Sequence, residues 1–366
     1  MIGDASAERL DSIDVLRGAT IAGMIVVNDP GSWAAVYPQL LHAEWDGWTY
    51  TDTIFPFFLF IAGVSMAFSF ARRREQGATA AARLGHMAVR AAILIGIGLL
   101  LNLAGFLAFH REHLRLPGVL QRIGVCVFVA GAILLLGGAR GAGWSGGLLL
   151  LGYWALMSSG PLDPQGNLAA RIDRAVFGVH TWKPGWDPEG LLSTLPAIAT
   201  TLLGAVAGER LRTGAPMSRK LGALLIAGIA AVAAGLLWGR VFPINKNLWT
   251  SSYAVLMSGL AAVCLAVCVW IVDVRRWRAG AAPFLWLGRN AIASFTLATL
   301  GAIALIAIRV AGLEGRTRSL WTTIYRTAFD RFADPRLGSL LCALAYLGLW
   351  LAVFGVLYRR RIFFKV

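Results

Sequence analysis

Stretches of about twenty apolar residues recur from one end of this 366-residue chain to the other. A helix of that length crosses the hydrocarbon core of a bilayer. Inside hydrocarbon every backbone N–H and C=O must find its partner within the protein, so a series of such stretches leaves few folds open. Ten candidates can be placed, at about 15–33, 53–71, 87–108, 118–138, 144–160, 191–209, 221–241, 251–272, 283–308 and 337–358. The fifth is short, with a weak boundary. The ninth is long enough to be tilted or broken. A further short segment at about 318–332 would raise the count to eleven. The expected fold class is all-α, a polytopic membrane helix bundle of ten, or with that segment eleven, transmembrane helices, forming one domain over residues 1–366. Composition agrees. Charged residues make up 14% of the chain, against about 25% in soluble domains, too few to cover a water-facing surface. Apolar residues at 57% exclude intrinsic disorder. The first dozen residues are polar and acidic, so no cleavable signal peptide is expected.

The net charge is +15, but the arginines sit in short clusters between apolar runs. They read as topology signals, and no nucleic-acid partner is expected. Arg72–Arg74, Arg275–Arg278 and Arg359–Arg361 each follow a stretch that would run from outside to inside, with Arg9 and Lys365 at the chain ends. The positive-inside rule then puts both termini in the cytoplasm. The outer connections become 34–52, 109–117, 161–190, 242–250 and 309–336, and they hold most of the Trp, Asp, Asn and Pro. Recognition of something polar is therefore expected on the outer face. Gly137–Gly147 reads as a flexible inner turn, since it lacks the Lys-Ser/Thr of a phosphate loop. Cys126, Cys264, Cys268 and Cys342 all lie in apolar runs and read as small reduced core residues. HExxH, CxxC, GxSxG and Walker patterns are absent from the sequence, so metal, serine-hydrolase and ATPase readings lose support.

Polar residues in and beside the apolar stretches are costly and mark where function is to be sought. Asp14 and Arg17 share a helix face at the inner start of the first span. Asn28 lies eleven residues on, about 16 Å further along the axis. An interfacial anchor and a helix cap would explain these three equally well. The stretch 41–63 sets His42, Glu44, Trp45, Asp46, Trp48 and Asp52 in front of an apolar helix. Carboxylates orient an imidazole and raise its basicity, whereas Asp52 could simply cap the helix and the tryptophans could be belt residues. Gln121 and Arg122 enter the fourth span from outside, Glu189 sits in the long outer connection, and Asn245, Lys246 and Asn247 form a dense hydrogen-bonding patch. Arg289 and Asn290 lie at the inner end of the ninth span.

These stretches resemble the heparan-alpha-glucosaminide N-acetyltransferase family of multi-span acyltransferases. The resemblance is carried by RLDSIDVLRG (9–18), LLHAEWDGWTYTDTIFPFFLFIAG (40–63), LRLPGVLQRIG (114–124), DPEGLLSTLPAIATTLLGAVAGERL (187–211) and FPINKNLWTSSY (242–253). The resemblance implies a bacterial-type member of the cytoplasmic (inner) membrane, without the luminal domain of the animal enzyme. It implies acetyl-CoA as co-substrate, donated from the cytosol to the amine of an amino sugar at the far face, and no metal. Carried over residue by residue, His42 becomes the general base or transient acyl carrier, and Asn28 polarises the thioester carbonyl or holds the His; Asp52 completes the expected catalytic group. Asp14, Arg17, Gln121, Arg122, Arg289 and Asn290 are the residues expected to hold acetyl-CoA. Glu44, Trp45, Asp46, Glu189, Asn245, Lys246 and Asn247 are those expected to hold the acceptor.

The physics of a transmembrane acyltransferase is coherent. The charged thioester is cytosolic, and the outer amine has no donor around it. A secondary transporter of a sugar-like substrate is the alternative, but it should show repeat symmetry and broken spans in matching halves, which the sequence lacks. A structural envelope protein would have no use for His42. Partners expected are membrane lipid, acetyl-CoA and a glycan acceptor, with the assembly open between monomer and homodimer.

Overall fold

In a computed structural model of the chain, residues 10–277, 279–311 and 317–364 are described. Arg9, Arg278 and Lys365 of the cationic pattern lie outside them. The described chain is predominantly helical. α1 (Asp11–Asn28), α2 (Tyr50–Glu75) and α3 (Ala80–Ala108) precede a long element, α4 (Val119–Met157). A short helix, α5 (Leu168–Phe177), follows in the connection, then α6 (Thr194–Leu211), α7 (Met217–Trp238) and α8 (Ser251–Val269), the last continued by a π turn to Val274. α9 (Ala282–Arg289) and α10 (Ala291–Ala307) lead to an antiparallel ribbon of β1 (Arg309–Ala311) and β2 (Thr317–Ser319). α11 (Leu320–Ile324), a π turn to Phe329 and α12 (Pro335–Arg359) complete it.

Six helices among the described residues are long and apolar enough to cross a membrane: α2, α3, α4, α7, α8 with its π turn, and α12. α9 and α10, bent by 88° at Asn290, make a seventh if they are one broken span. Ten separate long apolar helices are therefore not what is seen. α1 carries Asp11, Asp14 and Arg17, and α6 carries three threonines, Glu209 and Arg210, which dilute their hydropathy. Both are interior elements with most of their side chains buried by protein, where polar groups find partners. The 318–332 segment holds only the ten residues Leu320–Phe329 in helical form, about half the length a span needs.

The expected fourth and fifth spans form α4, and the chain reverses within it at Gly138 (φ +59°, ψ −163°), a conformation essentially confined to glycine. Arg122, near the start, bonds the Gly190 carbonyl. Gly131 lies against Phe70 and Met66, towards the far end of α2. Beyond the reversal Leu150 accepts from Ser251 and Tyr153 donates to Leu248, back at the first end. The two halves thus run antiparallel. The Gly137–Gly147 stretch is helical on either side of this one residue rather than a flexible turn.

α2 and α6 run side by side in the same direction at the centre, flanked by α1, α4 and α8. The four cysteines are free. Cys126 and Cys342 are buried as expected, whereas Cys264 is exposed on the outer surface of α8.

Candidate active site

α2 begins with a capping box: the Thr49 side chain and the Asp52 carboxylate close reciprocally on the first turn. Asp52 does more than cap. Its Oδ2 accepts from the backbone N–H of both Ala43 and Thr49 at 3.0 Å, and its Oδ1 meets His42 Nδ1 at 2.6 Å. The carboxylate is 1% exposed and the imidazole 50%. A buried carboxylate that accepts the Nδ1 proton fixes the tautomer in which Nε2 is the basic nitrogen. The His therefore has an anchored inner edge and an accessible ring at the mouth of the bundle.

Pro56 sits one helical turn after Asp52 and has no N–H to give the Asp52 carbonyl. Tyr253 of α8 takes up that orphan acceptor, its hydroxyl donating to Asp52 O at 2.5 Å. Tyr253 stacks edge-on against Trp249 (5.5 Å between centroids), which meets Phe55 of α2 (5.1 Å) and lies under the Arg122 guanidinium (5.2 Å). Trp249 Nε1 donates to Thr200 of α6 at 3.2 Å. Trp249 is fully buried with φ +51°, a left-handed backbone that costs about 1–3 kcal/mol in a non-glycine residue and persists only where packing dictates it. The starts of α2, α4, α6 and α8 are thus locked together beneath His42.

Around this platform the expected acceptor residues divide. Asp46 accepts from Asn245 Nδ2 at 3.1 Å, and Gly47 donates to Ile244 O at 2.7 Å, which ties the His42 loop to the 242–250 connection. Trp45 donates to Leu162 O (3.0 Å) and packs edge-on against Trp186. These are structural ties, and Asn245 is fully buried. Glu44 is exposed, and Lys246 and Asn247 are half-buried, so they remain available to a ligand. Glu189 is buried and paired with Arg115, which also grips Asp187 at 2.6 and 2.8 Å. Burial works against its charge, but Arg115, Lys246 and Arg122 hold the Glu189 carboxyl well below the usual carboxylate range. Asp173 of α5, buried beneath Leu191, is pushed by that burial up to about 6. Arg115, Asp187, Trp249 and Tyr253 were not singled out from the sequence, although they lie within its distinctive stretches.

The opposite end of α1 holds the cations. Arg17 bonds Asp14 Oδ1 (2.8 Å), Gly288 O (3.3 Å) and Ser65 Oγ. Arg289 bonds Asp11 (3.1 Å) and lies over the Tyr358 ring. A Cβ on either Gly18 or Gly288 would collide with the facing backbone, so the glycines let α1 and α9 touch and bring Arg17 beside Arg289. Arg90 of α3 lies near Arg17 and Arg73. Arg90 and Arg289 each keep a buried Nε without a hydrogen-bond partner among the described residues. Crowded cations with spare donors fit a polyphosphate ligand.

Two expected acetyl-CoA residues do not belong to that cluster. Gln121 and Arg122 lie at the His42 end, where Gln121 bonds Leu116 O and Arg122 bonds Gly190 O and Ser193 Oγ. Asn290 is at the cationic end, but both ends of its amide are taken by the main chain of Ile362 and Phe364, so it pins the C-terminal tail. Asn28 is exposed at the C-terminal end of α1, on a cavity of about 530 Å³ walled by residues 28–35 and by residues of 306–335. His42 is not among the residues lining it, so Asn28 and His42 do not share this cavity.

Comparison with known proteins closes on one group. Residues 9–241 match the family described as heparan-alpha-glucosaminide N-acetyltransferase, catalytic. The human heparan-alpha-glucosaminide N-acetyltransferase is 28% identical over 421 aligned positions, covering 98% of this chain and 60% of the human protein. The mouse protein is 26% identical over 425 positions, covering 99% and 61%. The chain spans about three-fifths of the length of these curated relatives. With the family match extending over more than half its length, from α1 through α7 and including the His42–Asp52 pair, the chain belongs to the heparan-alpha-glucosaminide N-acetyltransferase catalytic family.

Proposed function

We propose that this protein is a membrane acyltransferase that takes the acetyl group of cytosolic acetyl-CoA and delivers it to the amine of a glucosaminide-like amino sugar at the opposite face. The cationic end of α1 would face the cytoplasm, as would both termini, in a bacterial inner membrane. Supporting this reading are the names of its relatives, the spacing of the Arg clusters along the chain and the separation of the two chemistries to opposite ends of one helix. In the reaction the amine nitrogen attacks the thioester carbonyl, the C–N bond forms and the C–S bond breaks. The nitrogen loses a proton to His42 Nε2, and the coenzyme A sulfur leaves as thiolate and is protonated. Arg17 and Arg289 would hold the phosphates, exchanging Asp14 and Asp11 for stronger bidentate anions.

The observation that carries the reading is the 2.6 Å bond between a half-exposed His42 and a buried Asp52. An imidazole held in one tautomer at a bundle mouth is equipped for proton transfer, typically worth about 10²–10⁴-fold. The purified full chain should acetylate glucosamine from acetyl-CoA. His42→Ala should lose that activity by at least about 10²-fold while keeping its Tm and its acetyl-CoA affinity. Residual transfer above about a tenth of wild type, at unchanged stability, removes His42 from the mechanism. Intact-protein mass after acetyl-CoA alone separates direct transfer from an acetyl-His intermediate.

A further inference from the structure

Arg73, His86 and Arg90 lie where α2 ends and α3 begins, and the reaction assigns none of them a role. A turn of four residues, 76–79, joins the two helices, yet α3 packs against α4 and α10 rather than along α2. His86 and Arg90 are four residues apart and share a face of α3. Arg73, in the last turn of α2, sets its Nη2 at 2.7 Å from His86 Nε2. A guanidinium only donates, so Nε2 accepts, and the ring is neutral with its proton on Nδ1. That bond uses the one side-chain acceptor of the group. What remains is a set of donors: His86 Nδ1–H, the other N–H groups of Arg73, and Arg90, whose Nε is buried without a partner among the described residues. The charged groups acting on Arg90 are Arg17 and Arg73, and those acting on His86 are Arg73 and Arg90. No carboxylate is among them within the described residues. Cations gathered away from water without an anion are costly unless a ligand supplies the counter-charge.

We propose that Arg73, His86 and Arg90 form a binding site for the phosphate of an anionic phospholipid, in the leaflet on the side of the α2–α3 turn. A phosphate diester brings one negative charge and several acceptor oxygens, the complement of a group that holds only donors. Position favours a lipid as its source. Arg72 and Arg74, exposed on either side of Arg73, mark the headgroup level. Deeper along α3, a helix mostly uncovered by protein, Val89 (59% exposed) and Ile93 (42%) flank Arg90 and offer apolar surface to acyl chains. Basic pockets between spanning helices at this depth are where anionic headgroups bind. Arg17 stays with Arg289 in donor binding. The site is independent of the acyltransferase reading, which supplies only the name of the leaflet, cytoplasmic.

The test is native mass spectrometry of the full chain in detergent, titrated with dioleoylphosphatidylglycerol and, separately, with dioleoylphosphatidylcholine. Wild type should hold the anionic lipid at least about tenfold more tightly. Arg90→Gln should weaken it by about 10- to 100-fold, the range for losing a hydrogen bond to a charged group, and bring it to the level of phosphatidylcholine. Arg74→Gln removes an exposed charge from the same turn and should cost no more than about fivefold. Thermal unfolding is followed on each preparation. If Arg90→Gln fails to fold, Arg73→Gln, at a half-buried position, takes its place and should lose the anionic lipid in the same range. Equal wild-type affinity for the two lipids overturns the proposal, as does unchanged phosphatidylglycerol affinity in the folded variant. Equal losses in Arg74→Gln and Arg90→Gln reduce the effect to general surface charge and overturn the site. Displacement of bound phosphatidylglycerol by saturating acetyl-CoA assigns the cluster to donor phosphates and overturns the lipid; retention of the lipid supports it. Transfer to glucosamine, measured separately, decides the acyltransferase reading, so the two failures are distinguishable.

Discussion

Replacing Asp52 by Asn changes one atom and reverses the hydrogen-bonding logic beneath His42. Oδ2 of Asp52 faces two N–H donors, those of Ala43 and Thr49, while Oδ1 faces only His42 Nδ1. An asparagine has one oxygen and one NH2. Two backbone donors fix the oxygen on their side, so the NH2 must turn to His42. Nδ1 then becomes the acceptor, the ring proton moves to Nε2, and the nitrogen exposed to substrate is no longer basic. The capping box itself survives, since the Asn oxygen still accepts from the Ala43 and Thr49 N–H groups, and losing a charge in the first helical turn costs about 0.3–1 kcal/mol. Proton transfer to the imidazole is typically worth about 10²–10⁴-fold, or about 3–5 kcal/mol of barrier, and most of it should be lost. The assay is acetyl transfer to glucosamine under single-turnover conditions, with thermal unfolding on the same preparation and nitrogen NMR of His42 to read the tautomer. A variant with the Nε2–H tautomer that keeps more than about a tenth of the wild-type rate would refute the argument. A rate loss tracking the unfolded fraction would assign Asp52 to capping alone.

Asp173→Asn tests the pH dependence built into the α5 connection. Burial raises the folded-state value to about 6 from 3.8, so the charged form is the disfavoured one. Its contribution is intact below about 4 and falls away as pH rises to about 6, by at most about 3 kcal/mol. The Asn variant should flatten that decline in Tm, and a parallel decline in both proteins would exclude Asp173 as its source. Arg17→Ala and Arg289→Ala should each weaken acetyl-CoA by roughly tenfold or more, with a smaller salt dependence than wild type, because a charge-assisted contact to phosphate is lost; affinity unchanged in both would remove this end from donor binding.

How much of the fold was legible depended on whether a helix was buried by lipid or by protein. α3 and α7 are apolar nearly all round, and their stretches announce them. α1 and α6 were also found; they are interior helices whose charges and threonines are served by neighbours. The reversal in α4 was expected across eleven residues, Gly137–Gly147, because six glycines there suggest a loop. In the structure one glycine makes the turn and the rest are tolerated in helix. α5 was missed inside a connection assigned as loop. Asn167 at its N-cap, whose side chain accepts from Ala170, was the available signal.

The site was legible where a residue type was expensive in itself. His42 and Asp52 stood out from their chemistry, and the bond between them follows from ten residues of separation across a capped helix start. What the sequence could not reveal is the chain of dependence underneath. Pro56 withholds a donor from the Asp52 carbonyl, and the replacement comes from Tyr253, 201 residues away. No local pattern links the two. In water a solvent molecule could serve that carbonyl, but at the head of a membrane helix the protein itself must do so. Tyr253 is in turn set by Trp249, and Trp249 by Arg122, Thr200 and Phe55. A polar aromatic stack thus joins four helices to the residue that orients the imidazole. It also accounts for Arg122 at this end of the bundle. Its Nη2 bonds Gly190 and Ser193 and its guanidinium lies over Trp249, while its Nε and Nη1 have no hydrogen-bond partner among the described residues. α1 carries Arg17 near one terminus and Asn28 at the other, about 16 Å apart, and α2 likewise runs from Asp52 to Ser65, which meets Arg17, so these two helices join both halves of the proposed reaction.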